Sequence, residues 1–216
     1  FKKIGTSKTM SLTKYEQGSV RELWTISFPL MVTAWSMLTM VFVDRILLAR
    51  YSITALSAAT NAGTLAWGMI VGVTILTGIG EVFVAQFNGA KQTYRLGRPV
   101  WQMIWVSLLS CLWFIPLGLW MGGFIYDDTP FGDMERSYFS LVVLSGPAQA
   151  LYTALAAFWI GRGKIKVITW LAVAANLVNA VFDVIFIFGI EGVVPSMGIR
   201  GAAIATSMGV VFQSAV

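Results

Sequence analysis

Histidine is absent from this sequence of 216 residues, and cysteine occurs once, as Cys111. The absence of histidine excludes histidine-based catalytic triads, histidine general bases and histidine metal ligands. A single cysteine excludes an internal disulfide and a cysteine-cluster zinc site. Charged residues are scarce, at 12% of the chain, while 57% is hydrophobic and the mean hydropathy is +0.76. Soluble domains are about 25% charged, so this composition indicates a membrane protein.

Long runs without Asp, Glu, Lys or Arg divide the chain. They cover residues 23–43, 51–80, 99–126, 137–161, 167–190 and 201–216, and only Asp183 interrupts one of them. A membrane-spanning helix needs about 20 apolar residues, so five runs are long enough. In hydrocarbon the backbone must satisfy its own polar groups, which favours helices. We expect an all-α polytopic membrane protein, a piece of a longer chain, whose sixth helix is truncated.

The first 22 residues predict a charged N-terminal tail (1–22), followed by the transmembrane region (23–216). Ser19 and Glu22 match the S-x-x-E pattern of a capping box, which places the start of the first helix near Val20. Eleven of the 15 Lys and Arg residues lie in the tail or in the connections that follow the second and fourth runs. By the positive-inside rule the tail is cytoplasmic, and we expect a plasma membrane location, in a bacterial inner membrane. The net charge of +5 then reflects orientation, and no nucleic-acid partner is expected.

Three acidic residues are candidates for intramembrane positions, and one of them, Glu81, lies near the inner end of the second helix, where its side chain can extend to the interface. Asp44 directly follows the first run, and Asp183 lies in the fifth. A charge at the bilayer centre costs about 2.5–3.5 kcal/mol on insertion scales, so such residues are usually functional. Both helices are predicted to run in the same direction, with the two acids at a similar depth. They could share one site; alternatively, Asp44 extends toward water or pairs with Arg45 or Arg50.

Asn176, Asn179 and Asp183 follow the spacing i, i+3, i+7 and fall on one face of the fifth helix. We expect this polar stripe to face the protein interior or a wet cavity, although Asn side chains also join helices by hydrogen bonds. Carboxylate and amide oxygens suit Na⁺. Two close carboxylates also suit proton exchange, because both cannot ionise without cost. Both coupling ions remain open at this point, and no other cofactor is expected.

Helix breakers and aromatic residues form two further patterns. Pro29 lies in the same predicted helix as Asp44, which favours that helix as the moving part. Glycines in the second run predict close helix packing: Gly63, Gly68, Gly72, Gly78 and Gly80. Aromatic residues near the run ends predict membrane-interface anchors: Trp24, Trp101, Tyr126, Tyr138 and Trp159. The acidic stretch 126–136 is expected to be solvated.

Several stretches together resemble the N-terminal half of the multidrug and toxic compound extrusion (MATE) transporters. They read WTISFPLMVTAWSMLTMVFVDRILLARYSITALSAAT, VAQFNGAKQ, RLGRPVWQ, FWIGRGKIK, ANLVNAVFDVIFIFG and SMGIRGAAIAT, in that order. The resemblance implies the six-helix N-terminal lobe of a twelve-helix, two-lobe transporter. The second lobe of the same chain is absent and would be its partner.

The resemblance also implies roles for individual residues. Asp44, Asn179 and Asp183 would bind Na⁺ or exchange a proton. Thr206 is the nearest match to a threonine of the sixth helix that takes part in that site, and Pro29 corresponds to a proline linked to helix bending.

The expected function is secondary active antiport. An organic, often cationic, small molecule or drug leaves the cell while Na⁺ or H⁺ enters, across the lipid bilayer and without enzymatic chemistry. A lipid-linked saccharide flippase of the same superfamily is the alternative. It usually lines its cavity with Arg or Lys, whereas only Arg45 qualifies here. A two-aspartate intramembrane hydrolase is a third and weaker hypothesis.

Overall fold

A computed structural model of the chain describes residues 15–16 and 18–216. These residues form nine α-helices: α1 (Val20–Tyr51), α2 (Ile53–Gly78), α3 (Gly80–Gly89), α4 (Gly97–Pro116), α5 (Gly122–Tyr126), α6 (Gly132–Leu144), α7 (Gly146–Ile160), α8 (Ile165–Phe188) and α9 (Ile199–Ala215). A 3₁₀ turn precedes α4, and a π-helical turn joins α4 to α5. No named strand occurs within these described residues, so the all-α prediction is confirmed.

Consecutive helices merge into membrane-length segments. Five segments of the described chain are long and apolar enough to cross a membrane: Val20–Tyr51, Ile53–Gly89, Thr93–Tyr126, Gly132–Ile160 and Ile165–Phe188. Helix α9 has 17 residues and corresponds to the sixth apolar run. The predicted number and order of the long helices are therefore confirmed. Most of the predicted N-terminal tail, residues 1–14 and 17, lies outside the described residues.

The start of α1 is fixed by the predicted cap. The Ser19 hydroxyl accepts a hydrogen bond from the Glu22 amide at 3.2 Å, and α1 begins at Val20. The Glu22 carboxylate in turn accepts from the Gly18 amide at 2.7 Å, one residue before the position that a standard capping box uses.

Helix α2 lies at the centre of the bundle. Its buried face is a stripe of alanines, namely Ala55, Ala58, Ala59, Ala62 and Ala66. These small side chains allow α6 and α7 to approach closely. The prediction that glycines provide this close packing is wrong for Gly68 and Gly72, where an added Cβ would meet nothing within 4 Å. Gly63 and Gly80 do lie at close contacts, as described for Gly63 below.

Helices α1 and α8 pack side by side in parallel. Thr33 contacts Thr169, and Ser36 contacts Asn176 further along both helices. Helix α9 returns antiparallel to α8, and Gly201 marks the closest approach. A Cβ atom there would overlap the carbonyl oxygen of Phe186. Helix α8 is therefore held between α1 and α9, and it presents side chains to both.

Three of the prolines within the apolar runs, Pro29, Pro116 and Pro147, act differently. Pro29 is inside α1, which continues unbroken through it. Pro116 is the last residue of α4, and the π-helical turn follows it directly. Pro147 lies at the start of α7, where its missing N–H costs nothing.

Candidate functional site

Helix α1 directs the Asp44 carboxylate into the bundle. Most of α1 is exposed, and its buried described residues are Pro29, Asp44 and Leu48. Asp44 and Leu48 are four positions apart and therefore share a face. With an exposed fraction of 5%, Asp44 does not extend toward lipid or water.

Helix α8, which packs against α1, carries two buried polar side chains, Asn179 and Asp183. Its buried face includes Ala172, Ala175, Asn179, Asp183 and Ile187, which recur every three or four positions. Asn179 is 1% exposed and Asp183 is 0% exposed. Both polar side chains are therefore buried within the lobe, on a face of α8 whose other buried residues are apolar except for Thr169.

The register of α1 against α8 brings the two acids together. Hydrogen-bonded residues of the two helices are 136 and 140 positions apart in the sequence. Asp44 and Asp183 are 139 positions apart, within the same range, and lie further along the same interface. The two carboxylates accordingly interact electrostatically within the buried layer. This is the shared depth that the sequence pattern predicts.

The polar atoms of this cluster lack internal partners. Asp44 Oδ1, both carboxylate oxygens of Asp183 and both amide atoms of Asn179 are buried without a hydrogen bond in the described structure. A buried polar atom without a partner costs about 1–3 kcal/mol. Five such atoms in one place form a preorganised set of donors and acceptors. The oxygens among them suit a hard monovalent cation or a proton.

Arg45 and Tyr138 complete the cluster. Tyr138 on α6 is 4% exposed, so its prediction as a membrane-interface aromatic was wrong. It interacts electrostatically with Asp44, Arg45 and Asp183. Asp44 forms no ion pair with Arg45 or Arg50 within the described residues, contrary to the alternative interpretation of the sequence. In the sequence, Tyr138 lies at the edge of an apolar run, where an interface position and a buried position look alike.

The remaining predicted site residues make no hydrogen bond to either acid in the described structure. Asn176 is half-buried and donates its amide to the Ser36 hydroxyl at 2.6 Å. Thr206 on α9 is half-buried and makes no hydrogen bond to Asn179 or Asp183, whose side-chain atoms have no partner in the described chain. Asn176 therefore lies beside the acidic cluster, and Thr206 does not contact it through a hydrogen bond.

Pro29 lies at a small polar junction between α1 and α8. The hydroxyls of Thr33 and Thr169 lie 3.0 Å apart. They lie 3.0 Å and 3.1 Å, respectively, from the Pro29 carbonyl oxygen. The junction ties the proline-containing turn of α1 to α8, several turns before Asp44.

A groove of about 630 Å³ runs between α1 and α8. Its wall is mostly apolar and includes Phe28, Trp35 and Met40, while its polar groups are Ser36, Thr39 and Asn176. Among the residues that the structure describes, no charged side chain lines it. The groove can accept an apolar or aromatic molecule by shape and stacking.

A third buried carboxylate, that of Glu135, lies near the end of the acidic stretch 126–136. Glu135 is 3% exposed, accepts from the Asn61 amide at 3.1 Å and accepts from the Thr129 hydroxyl at 2.5 Å. The prediction that residues 126–136 are solvated was therefore wrong for Glu135. It was also wrong for Tyr126, which is 6% exposed and, like Tyr138, is not the exposed interface aromatic that was predicted. The hydrogen bonds of Glu135 join α2 to α6 and to the preceding turn, a role that sequence spacing does not reveal.

Comparisons with known proteins agree with this architecture. A sequence model of the MatE family matches residues 29–185, which is well over half of the chain. A solved MOP superfamily transporter from Pyrococcus furiosus Vc1 (DSM3638) superposes with a TM-score of 0.76 at 17% identity. That protein is described as having a binding pocket of reverse polarity that suggests a different function.

A second solved structure is an outward-facing multidrug resistance MATE family transporter of the MOP superfamily. It superposes with a TM-score of 0.72 at 19% identity. Each comparison covers 88% of this chain and 42% of the other, so the chain spans less than half the length of these transporters. At these identities the structures support the fold, and the family match supplies the assignment: the chain belongs to the MatE family of membrane transporters.

Proposed function

We propose that this chain forms the N-terminal lobe of a secondary active antiporter that exports organic compounds in exchange for Na⁺ or H⁺. The observation that carries the proposal is the buried set of unpaired polar atoms on Asp44, Asn179 and Asp183. A structural role alone does not account for five unsatisfied atoms in one enclosed layer, because each costs stability. An exchangeable cation would satisfy the oxygens while it is bound.

Coupling follows from the position of the site between α1 and α8. A cation that enters down a membrane potential of 100 mV releases about 2.3 kcal/mol, enough to bias the lobe between two conformations. Binding next to Asp44 would draw α1 toward α8, and release would let it move away. Pro29 would serve as the hinge, since α1 has one backbone hydrogen bond fewer there. The Thr33–Thr169 junction would hold the hinge in the arrangement seen here.

The groove between α1 and α8 is the place that we propose for part of the substrate. It opens along the same two helices that carry the acids, so a bound molecule and a bound cation would compete for the position of α1. Its aromatic and thioether wall suits organic compounds with flat apolar rings. The absence of Lys and Arg from its wall disfavours an anionic lipid-linked saccharide.

The complete transporter would contain a second lobe that faces the exposed side of α1 and α2. We place the N-terminus in the cytoplasm of a bacterial cell, because the basic residues are concentrated in the tail and in the two connections on that side. Asn176 and Thr206 would take part in the coupling site together with Asp44, Asn179 and Asp183.

The test is transport by the complete two-lobe protein in proteoliposomes. Ethidium efflux is measured under an imposed Na⁺ gradient and separately under a pH gradient. Asp44→Asn and Asp183→Asn should each abolish efflux driven by the coupling ion. Asp133→Asn, a matched change at an exposed acid on α6, should leave it unchanged. Efflux that persists in both site variants would refute the assignment of coupling to this lobe.

A further inference from the structure

Arg45 brings a permanent positive charge into the buried layer of this lobe. It follows Asp44 on α1, and its Nη1 atom is buried without a hydrogen-bond partner. Arg45 as a whole is half-buried, so part of the guanidinium group, including Nη1, is held inside the bundle, where an isolated charge is unfavourable.

The space that holds it is provided by Gly63 on α2. A Cβ atom at Gly63 would lie 3.2 Å from Nη2 of Arg45 and 3.3 Å from Cε1 of Tyr138. Both side chains thus occupy the volume that any larger residue at this position would fill. The guanidinium position is accordingly set by the packing of three helices.

The positive charge of Arg45 partly offsets the negative charge of Asp44, but the guanidinium group does not form hydrogen bonds with the buried carboxylate oxygens of the described structure. Arg45 interacts electrostatically with Asp44, and Asp44 with Asp183. Tyr138 interacts electrostatically with all three of these groups, namely Asp44, Arg45 and Asp183. Among the described residues, however, Arg45 makes no ion pair, and oxygens of both carboxylates stay unpaired. The oxygens therefore remain available to a mobile cation while the fixed charge stays beside them.

The charge balance then limits what can bind. When all three groups are ionised, two carboxylates and one guanidinium leave a net charge of minus one. One monovalent cation, Na⁺ or H⁺, makes the buried cluster neutral. A second would leave it positive, at a cost in a region of low dielectric constant. We propose that Arg45 is the fixed counter-cation of the Asp44–Asp183 site and restricts it to one monovalent cation per transport cycle. This inference rests on the proposed antiport function.

The experiment measures the coupling ratio of the complete transporter in proteoliposomes clamped at zero membrane potential. At static head, the logarithm of the ethidium gradient is plotted against the logarithm of the imposed Na⁺ or H⁺ gradient. The slope is the number of cations exchanged per ethidium. We expect a slope of 1 for the native protein and for Arg45→Lys, which keeps the charge. We expect a slope of 2 for Arg45→Gln.

Arg45→Lys and Arg50→Gln separate charge from local structure. Arg45→Lys keeps the positive charge but not the planar guanidinium, and Arg50→Gln removes an exposed positive charge from the end of the same helix. Both variants should leave the slope at 1. A slope of 2 for the native protein, or of 1 for Arg45→Gln, would overturn the proposal while leaving antiport intact.

Failure of antiport itself has a different signature, since the native protein would then show no gradient-driven efflux of ethidium. The cation count is then measured directly as the number of cations bound per protein at saturation, by equilibrium dialysis with radioactive Na⁺ or by proton uptake relative to the variant D44N/D183N. One bound cation in the native protein and two in Arg45→Gln support the proposal. Two in the native protein, or one in Arg45→Gln, contradict it.

Discussion

Gly201 is the position where a single methyl group should disturb this lobe most clearly. It lies at the start of α9, against the backbone of α8. A Cβ atom there would overlap the carbonyl oxygen of Phe186 and lie 2.9 Å from the amide nitrogen of Ile187. Both are backbone atoms, so no side chain can rotate away. Gly201→Ala must therefore push α9 away from α8.

The magnitude follows from two opposing terms. Overpacking costs about 1–3 kcal/mol, and backbone atoms place this site at the upper end of that range. Replacing glycine by alanine within a helix returns about 0.5–1 kcal/mol. The net loss of folding free energy should be about 2 kcal/mol, which corresponds to a fall in melting temperature of about 4–8 °C for a chain of this size.

Gly209→Ala is the matched control on the same helix. A Cβ atom there would lie 3.4 Å from the Cβ atom of Asn179, an ordinary contact distance. The control should be neutral or stabilised by up to about 1 kcal/mol. Both variants are purified in detergent and melted side by side, with thiol-reactive dye labelling of Cys111 reporting the loss of structure. If Gly201→Ala melts at or above the temperature of Gly209→Ala, the close packing of α8 against α9 is wrong.

Three further substitutions test the polar contacts. Glu135→Ala should cost about 2–3 kcal/mol in a melting assay, because it leaves the Asn61 amide without its acceptor; unchanged melting would refute the structural role of that carboxylate. Thr169→Val removes a hydroxyl from the Pro29 carbonyl and should weaken the attachment of α1 to α8 by about 1 kcal/mol, a shift that spin labels on the two helices would detect. Tyr138→Phe should alter the cation dependence of transport with little change in melting, whereas native transport would show that the hydroxyl takes no part in the site.

The number and order of the long helices could be predicted from the apolar runs of the sequence. Hydrophobic length specifies a membrane-spanning helix directly, so the long helices could be predicted without any tertiary information. The cap at Ser19 is equally local, because a hydroxyl and an amide three residues apart decide it. Close packing depends instead on which face a helix turns inward. The glycines of α2 were expected to line that face, but alanines line it instead. A Cβ atom added at Gly68 or Gly72 would meet no atom within 4 Å, so these two glycines do not lie at a close contact.

The same distinction applies to the site. Asp183 could be identified because a carboxylate within an apolar run is unfavourable wherever its side chain points. Asp44, at the end of its run, was identified by its expected depth beside Asp183 and by the resemblance to the MATE transporters. The burial of Arg45, Tyr138 and Glu135 could not be predicted, because each lies near the end of a run, where an exposed position is equally plausible. Their burial depends on how α1, α2 and α6 meet: Gly63 leaves the space for the guanidinium and the phenol, and Asn61 supplies a donor to Glu135. The role of a residue at the end of an apolar run can therefore be assigned only when the packing of the neighbouring helices is known. A charged residue within an apolar run can be recognised as a candidate site residue from the sequence alone.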